Sequence, residues 1–252
     1  MAEAATAEDS GVVAVADSEA EDSAVAAVVL AGAALQAGGR ARDMDAEKIF
    51  SEEDKKRINQ AVVTAEQKTS GEIVPMVVTA SARYTEIELF GLIIGLGIGT
   101  LAAAIFGDPW RHDFAYLWPM LGAAAGFFIC RIPAIKRRLL PSRRRDDAVL
   151  QRSLAAFAAE GLHHTREHTG ILILISLLER EVEVLADRGI NEKVPPGTWD
   201  EVVQIMTAGL KSGKAGHAFC KAIERCGAIL AEHFPRAADD TDELSNRLVT
   251  GE

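Results

Sequence analysis

The chain has 252 residues, 48% of them hydrophobic, and a formal net charge of −10 from 37 acidic against 27 basic residues. That length supports one ordinary domain, or a smaller domain with something added. The acidic balance excludes a protein whose main task is neutralising nucleic-acid phosphates, which needs many Lys and Arg contacts spread over a face.

Cys130, Cys220 and Cys226 are odd in number and lack C-x-x-C spacing. Neither a disulfide framework nor a zinc knuckle is indicated, and a reducing compartment is the simpler setting. The first 23 residues hold seven acidic side chains and no basic one, unlike the positive start of a secretory signal. Residues 1–45 are expected to be a disordered, acidic and Ala-rich tail, with a leader segment or an interfacial helix over 24–37 as the other readings. That run is too short to span a bilayer.

Over 46–80, SEEDKKRINQAVVTAEQKTSGEIVPMVV begins with a cap, Ser51 followed three residues later by Asp54. Ile58, Ala61, Val62 and Ala65 then share a helical face, Gly71 is expected to stop the helix, and Glu72 starts a strand. Pro75 within that strand predicts an edge or a bulge.

Two uncharged runs follow within 87–130, LFGLIIGLGIGTLAAAIF (89–106) and FAYLWPMLGAAAGFFIC (114–130). Each reaches the lower length limit for a membrane helix, and the GDPWRHD connector between them predicts a transmembrane hairpin. Gly91, Gly95 and Gly99, with Gly122 and Gly126, recur every four residues, so small faces can bring the two backbones together or join two copies. Trp110, Tyr116 and Trp118 fit an aromatic belt at the far interface.

The segment 131–146 carries Arg131, Lys136, Arg137, Arg138, Arg143, Arg144 and Arg145, seven basic residues in an acidic chain. Basic residues beside a span mark its cytosolic side, and here they are expected to face lipid headgroups. No aromatic residue interleaves them, so nucleic acid is not an expected partner.

In 147–234, Leu150, Leu154, Phe157 and Leu162 predict a helix reaching His168. ILILISLLEREVEVLAD then reads as an antiparallel hairpin turning at Glu179 and Arg180, its first strand buried on both faces. Thr198 to Glu201 reads as a capping box opening a helix to about Lys211. Phe219, Ile223, Cys226, Leu230 and Phe234 stripe a last helix, and 235–252 is expected to be an acidic disordered tail. Neither half can close a core alone. An even number of crossings returns the chain to the side it left, so the two halves should form one α/β domain around an inserted hairpin.

The order of TSGEIVPMVV, TGILILISLLEREVEVLADRGI, a capped helix and a final helix resembles the TPM domain, over about 47–79 and 147–234. That family includes thylakoid-lumen proteins implicated in photosystem repair and a nematode receptor auxiliary subunit. The resemblance implies a compact α/β sandwich, and the insertion looks like that of a bacterial membrane subgroup. Some members are described as acid phosphatases and some as calcium binders. The family's usual Asp-Asn-Gly is replaced here by His168, Thr169 and Gly170, which removes the carboxylate most naturally carried over. His164, His168, Asp187 and Glu72 are the remaining candidate metal ligands; helix capping by the histidines and a solvated Glu72 are the alternatives. No cofactor is expected, with a divalent metal left open. No residue setting for a nucleophile is present around Ser176, Cys220 or Cys226.

Together these observations point to a membrane-tethered accessory or scaffolding domain in a bacterial inner membrane, multi-pass, with both termini cytosolic. Its expected partners are lipids and another membrane protein or a second copy. A metal-assisted phosphate hydrolase is the alternative.

Overall fold

The computed structural model describes residues 49–106, 117–237 and 243–251. The N-terminal tail, its 24–37 run, and the connector with Trp110 and Tyr116 lie outside the described residues. In chain order the elements are α1 (Glu52–Glu66), β1 (Glu72–Val78), α2 (Thr85–Phe106), α3 (Leu117–Cys130), α4 (Pro133–Leu139) and α5 (Ser142–Ala159). A 3-10 turn (Leu162–His164) leads to β2 (Gly170–Ser176) and β3 (Glu181–Ala186). The chain continues through α6 (Arg188–Asn191), α7 (Asp200–Lys211), α8 (Ala215–His233) and β4 (Val249–Gly251).

The sheet order is β3-β2-β1-β4, with β1 parallel to both β2 and β4 and β3 antiparallel to β2. Alternation along each strand sorts the side chains into two cores. Ile73, Val77, Ile171, Ile173 and Ile175 point toward α1, α7 and α8, where Ile58, Met206, Phe219 and Leu230 meet them. Val74, Met76, Leu172 and Leu174 point the other way, toward Val149 and Ala156 of α5 and toward Leu162. The result is a three-layer α/β sandwich, and both sequence halves supply its one sheet.

The α1 cap forms as its sequence predicts: Ser51 Oγ accepts from the Asp54 N–H at 3.1 Å, and Asp54 Oδ2 accepts from the Ser51 N–H at 3.2 Å. The helix ends at Glu66, before Gly71. Pro75 does not make β1 an edge strand along its whole length. Pairing with β4 begins at Met76, the residue after the proline, so the position that lacks an N–H has no β4 partner.

Five further expectations are corrected. Leu150 and Leu154 are 42% and 44% exposed, while Val149, Ser153 and Ala156 face the sheet; small side chains let the helix approach it closely. α5 also stops at Ala159 instead of His168, because Gly161 turns the chain with φ +75°. The β2–β3 turn occupies 177–180, so Ser176 pairs with Glu181 and the register sits two residues from that of a turn centred on Glu179 and Arg180. Thr198 donates to the Pro195 carbonyl and does not cap α7. Within 235–252, Val249–Gly251 is a strand and Leu248 is buried, its N–H donating to Asn59 Oδ1 at 2.9 Å.

α2 and α3 pack against each other outside the sandwich. A Cβ on Gly95 would strike the Gly122 carbonyl, one on Gly126 the Gly91 carbonyl, and one on Gly99 the Trp118 carbonyl. The glycine faces are consumed in closing this hairpin. α2, with 22 residues, is long and apolar enough to cross a membrane; α3 and α4 meet the same criterion only as a pair, bent by 87°.

Candidate functional site

The start of the parallel strands is where the sequence places its metal candidates. Glu72 and Gly170 are register partners, and the Asp187 N–H donates to the Gly170 carbonyl at 2.9 Å. His168, in the left-handed region at φ 54°, sets Nδ1 3.2 Å from Asp187 Oδ2. The other Asp187 oxygen accepts from the Arg188 N–H at 2.7 Å, capping α6. Glu72 is buried, not solvated, and its Oε1 accepts from the Glu243 N–H at 3.0 Å. His164 stacks on His163 with ring centroids 3.8 Å apart; since α5 has already ended, no helical face joins it to His168. His168 and Asp187 are therefore brought together. Among the described residues, no group of three or more His, Cys, Asp or Glu side chains converges as a metal site.

The opposite end holds a polar cluster that the sequence did not disclose. Glu179, in the β2–β3 turn, is 2% exposed. Its Oε1 accepts from the Tyr84 hydroxyl at 2.6 Å and the Ser81 N–H at 3.1 Å, and its Oε2 from the Ser176 hydroxyl. Ser81 Oγ donates in turn to Ser176 Oγ at 2.8 Å. Every carboxylate oxygen is thus answered, which is the condition for burying it. Burial, and then the Glu179 carboxylate, push the Tyr84 phenol above its ordinary range. Ser176 is fully buried and its hydroxyl is committed to this network.

The same end fixes the hairpin to the sandwich by charge. Lys136 Nζ meets Glu88 Oε1 at 2.8 Å with both side chains under one-fifth exposed, Arg144 meets Glu86 at 3.3 Å, and Arg145 meets Glu181 at 3.8 Å. Three of the seven basic residues expected at headgroups are therefore turned to acidic partners. The signal was available as Glu86 and Glu88 just before the first span, opposite in charge to the residues after the second. Burial pushes the Glu181 carboxyl up, with Asp146 adding to it.

Of the two thiols on α8, Cys226 is buried and Cys220 is half-buried. Burial pushes Cys226 up to about 12, and burial followed by Glu224 and Asp54 raises Cys220.

Fold and site define a class: a three-layer α/β sandwich with an apolar helical hairpin inserted after its first strand. Residues 139–229, from the end of α4 into α8, match the family model of the TPM domain. Among solved structures, the NMR structure of the BA42 protein from the psychrophilic bacterium Bizionia argentinensis is similar, with a TM-score of 0.52, 20% identity, and coverage of 84% of this chain and 99% of that one. That likeness shows a shared mixed α/β fold. No curated protein matches the chain.

Proposed function

We propose that the chain is a membrane-anchored TPM-like domain on the cytosolic face of a bacterial inner membrane, serving as an accessory or scaffolding component for another membrane protein. The observation that carries the anchoring is the inversion of the hairpin: glycine lines its inside, while Phe90, Ile93, Ile98, Leu101, Leu121 and Phe128 point outward. Only 17% of the apolar window of α2 is buried, which supports a lipid-facing helix over the buried core helix of a soluble fold. A surface of this kind suits lipid and not water. At 22 residues α2 is about 33 Å long, against a hydrocarbon core of about 30 Å. Basic residues after the second span support the cytosolic placement.

The scaffolding half is supported by the use of the polar groups. Glu179, Ser176 and Tyr84 are committed to one another, and Glu72 and Asp187 accept backbone N–H groups. Fractionation and thiol labelling in intact cells test the anchoring and its sense. The chain should require detergent for extraction, and an impermeant reagent should label a cysteine placed at His112 but not one at Ser142. Extraction into plain buffer overturns the anchor; the reverse labelling overturns the orientation.

One observation favours the hydrolase alternative, the contact between His168 and Asp187 beside Gly170. We expect the purified chain to hydrolyse a phosphomonoester no faster than its Asp187→Ala variant when calcium, magnesium or zinc is added. Metal-dependent turnover that disappears in the variant would promote the hydrolase.

A further inference from the structure

We infer that α4 lies along the membrane surface and, with the first turn of α5, binds the phosphate headgroups of acidic phospholipids through Arg131, Arg137, Arg138 and Arg143. The inference rests on the anchoring proposed above and narrows it to a lipid class and to four of the seven basic residues.

Geometry supplies the first part. α4 is bent by 87° from α3 across a break at 131–132. When α3 stands along the membrane normal, α4 is parallel to the surface. Its flanks carry Ile132 and Leu139, each 47% exposed, and the exposed Phe128 and Ile129 continue that apolar surface into the hairpin. Guanidinium and aliphatic groups side by side are the composition of a helix seated at the headgroup boundary.

Charge supplies the second part. Lys136, Arg144 and Arg145 are directed to Glu88, Glu86 and Glu181. Arg131 lies over the Phe127 ring at 5.8 Å, and among the described residues neither it nor Arg137, Arg138 or Arg143 meets a carboxylate. Arg131, Arg138 and Arg143 are exposed and Arg137 is half-buried. Four planar cations beside an apolar strip complement a layer of phosphodiesters, to which guanidinium donates paired hydrogen bonds. Three of the four are exposed and share their segment with the exposed Ile132 and Leu139, which favours a lipid surface over a free phosphate.

The full-length chain in an uncharged detergent tests this by its unfolding midpoint. Added phosphatidylglycerol should raise the midpoint by several degrees, less so as salt is increased; phosphatidylcholine and inorganic phosphate at equal phosphorus should not. The combined Arg131→Gln, Arg137→Gln, Arg138→Gln and Arg143→Gln variant should lose most of the rise. Lys136→Gln should start from a lower midpoint and keep the rise. Where the combined variant does not fold, Arg138→Gln and Arg143→Gln singly should each reduce the rise. An equal rise with phosphatidylcholine, a rise with inorganic phosphate, or an unchanged rise in the arginine variants overturns the inference. A chain that needs detergent yet shows no preference for the acidic lipid defeats this inference and leaves the anchor standing; one soluble without detergent defeats both.

Discussion

The hairpin and the sandwich pack by opposite rules within one chain. In the sandwich, bulk points inward: Phe219 is fully buried and meets Phe50 edge-on at 6.0 Å. In the hairpin, bulk points outward and glycine lies at the contact, with Gly95 against Gly122 and Gly91 against Gly126. Water excludes apolar surface, so a soluble core gains by burying it. In the lipid setting proposed for the hairpin that difference vanishes, and close backbone approach supplies the packing energy. The two rules meet at the Tyr84–Glu179 cluster and the Lys136–Glu88 pair, where hydrogen-bonded charge lies beside a small apolar cluster of Tyr84, Ile87, Cys130, Leu140 and Ala148.

Removing buried bulk should therefore damage the sandwich, and adding bulk at the glycine contacts should damage the hairpin. Phe219→Ala leaves a cavity between α8 and the sheet and should cost about 3–5 kcal/mol, the largest effect expected here. Gly95→Leu should cost about 3 kcal/mol, because the obstacle is the Gly122 backbone, which has no rotamer with which to yield. The readouts must differ: hydrogen exchange in the sheet for Phe219→Ala, exchange or crosslinking between α2 and α3 for Gly95→Leu. If Gly95→Leu leaves the hairpin unchanged, its two helices do not approach through glycine and the contrast fails.

The hairpin was legible in the sequence because both of its signals are local: uncharged length, and glycine at every fourth position. The buried stripe of α8 and the doubly buried β2 were legible for the same reason. β4 was not, since three residues, Val249–Gly251, have no periodicity to read; they are a strand because β1 is there to pair with them. The face of α5 was misleading in another way. Leu150 and Leu154 carry the stronger apolar signal, yet Val149, Ser153 and Ala156 fit closer to the sheet. Of the candidate site, the His168–Asp187 contact was anticipated, whereas Glu179 resembled a solvated turn residue because its donors at Ser81 and Tyr84 are almost a hundred residues away in sequence.

The junction offers the next smaller effect. Tyr84→Phe removes a donor from a buried carboxylate and should cost about 2 kcal/mol, the range for hydrogen bonds to charged groups. The loss should appear at both edges of the contrast, as faster exchange at β2 and at the start of α2. A loss confined to one of them would show that the cluster belongs to that region alone and does not join the two.

The smallest effect expected tests how the sandwich handles charge away from that junction. Glu183 lies on β3 opposite Leu174, between Val182 and Val184, which pack on the α8 side, so its carboxyl is directed toward α5. Burial first and Asp146 second push that carboxyl above its ordinary range. The folded chain therefore holds the Glu183 proton more tightly than the unfolded chain does. Its contribution to stability is full below the unfolded pKa and is lost as pH rises through the folded one. Glu183→Gln keeps the shape of the protonated side chain and should be more stable than the parent at pH 7, by less than about 1 kcal/mol because solvent screens a half-exposed group. The advantage should shrink as the pH is lowered through the range where Glu183 gains its proton. Chemical denaturation of both chains at pH 7 and at about pH 4 measures it. An advantage of equal size at both pH values would assign the gain to packing against α5 and remove charge from the account of this face. In Asp146→Asn, the second cause is gone while the burial remains, so Glu183→Gln should then gain less; an undiminished gain would leave burial as the whole cause.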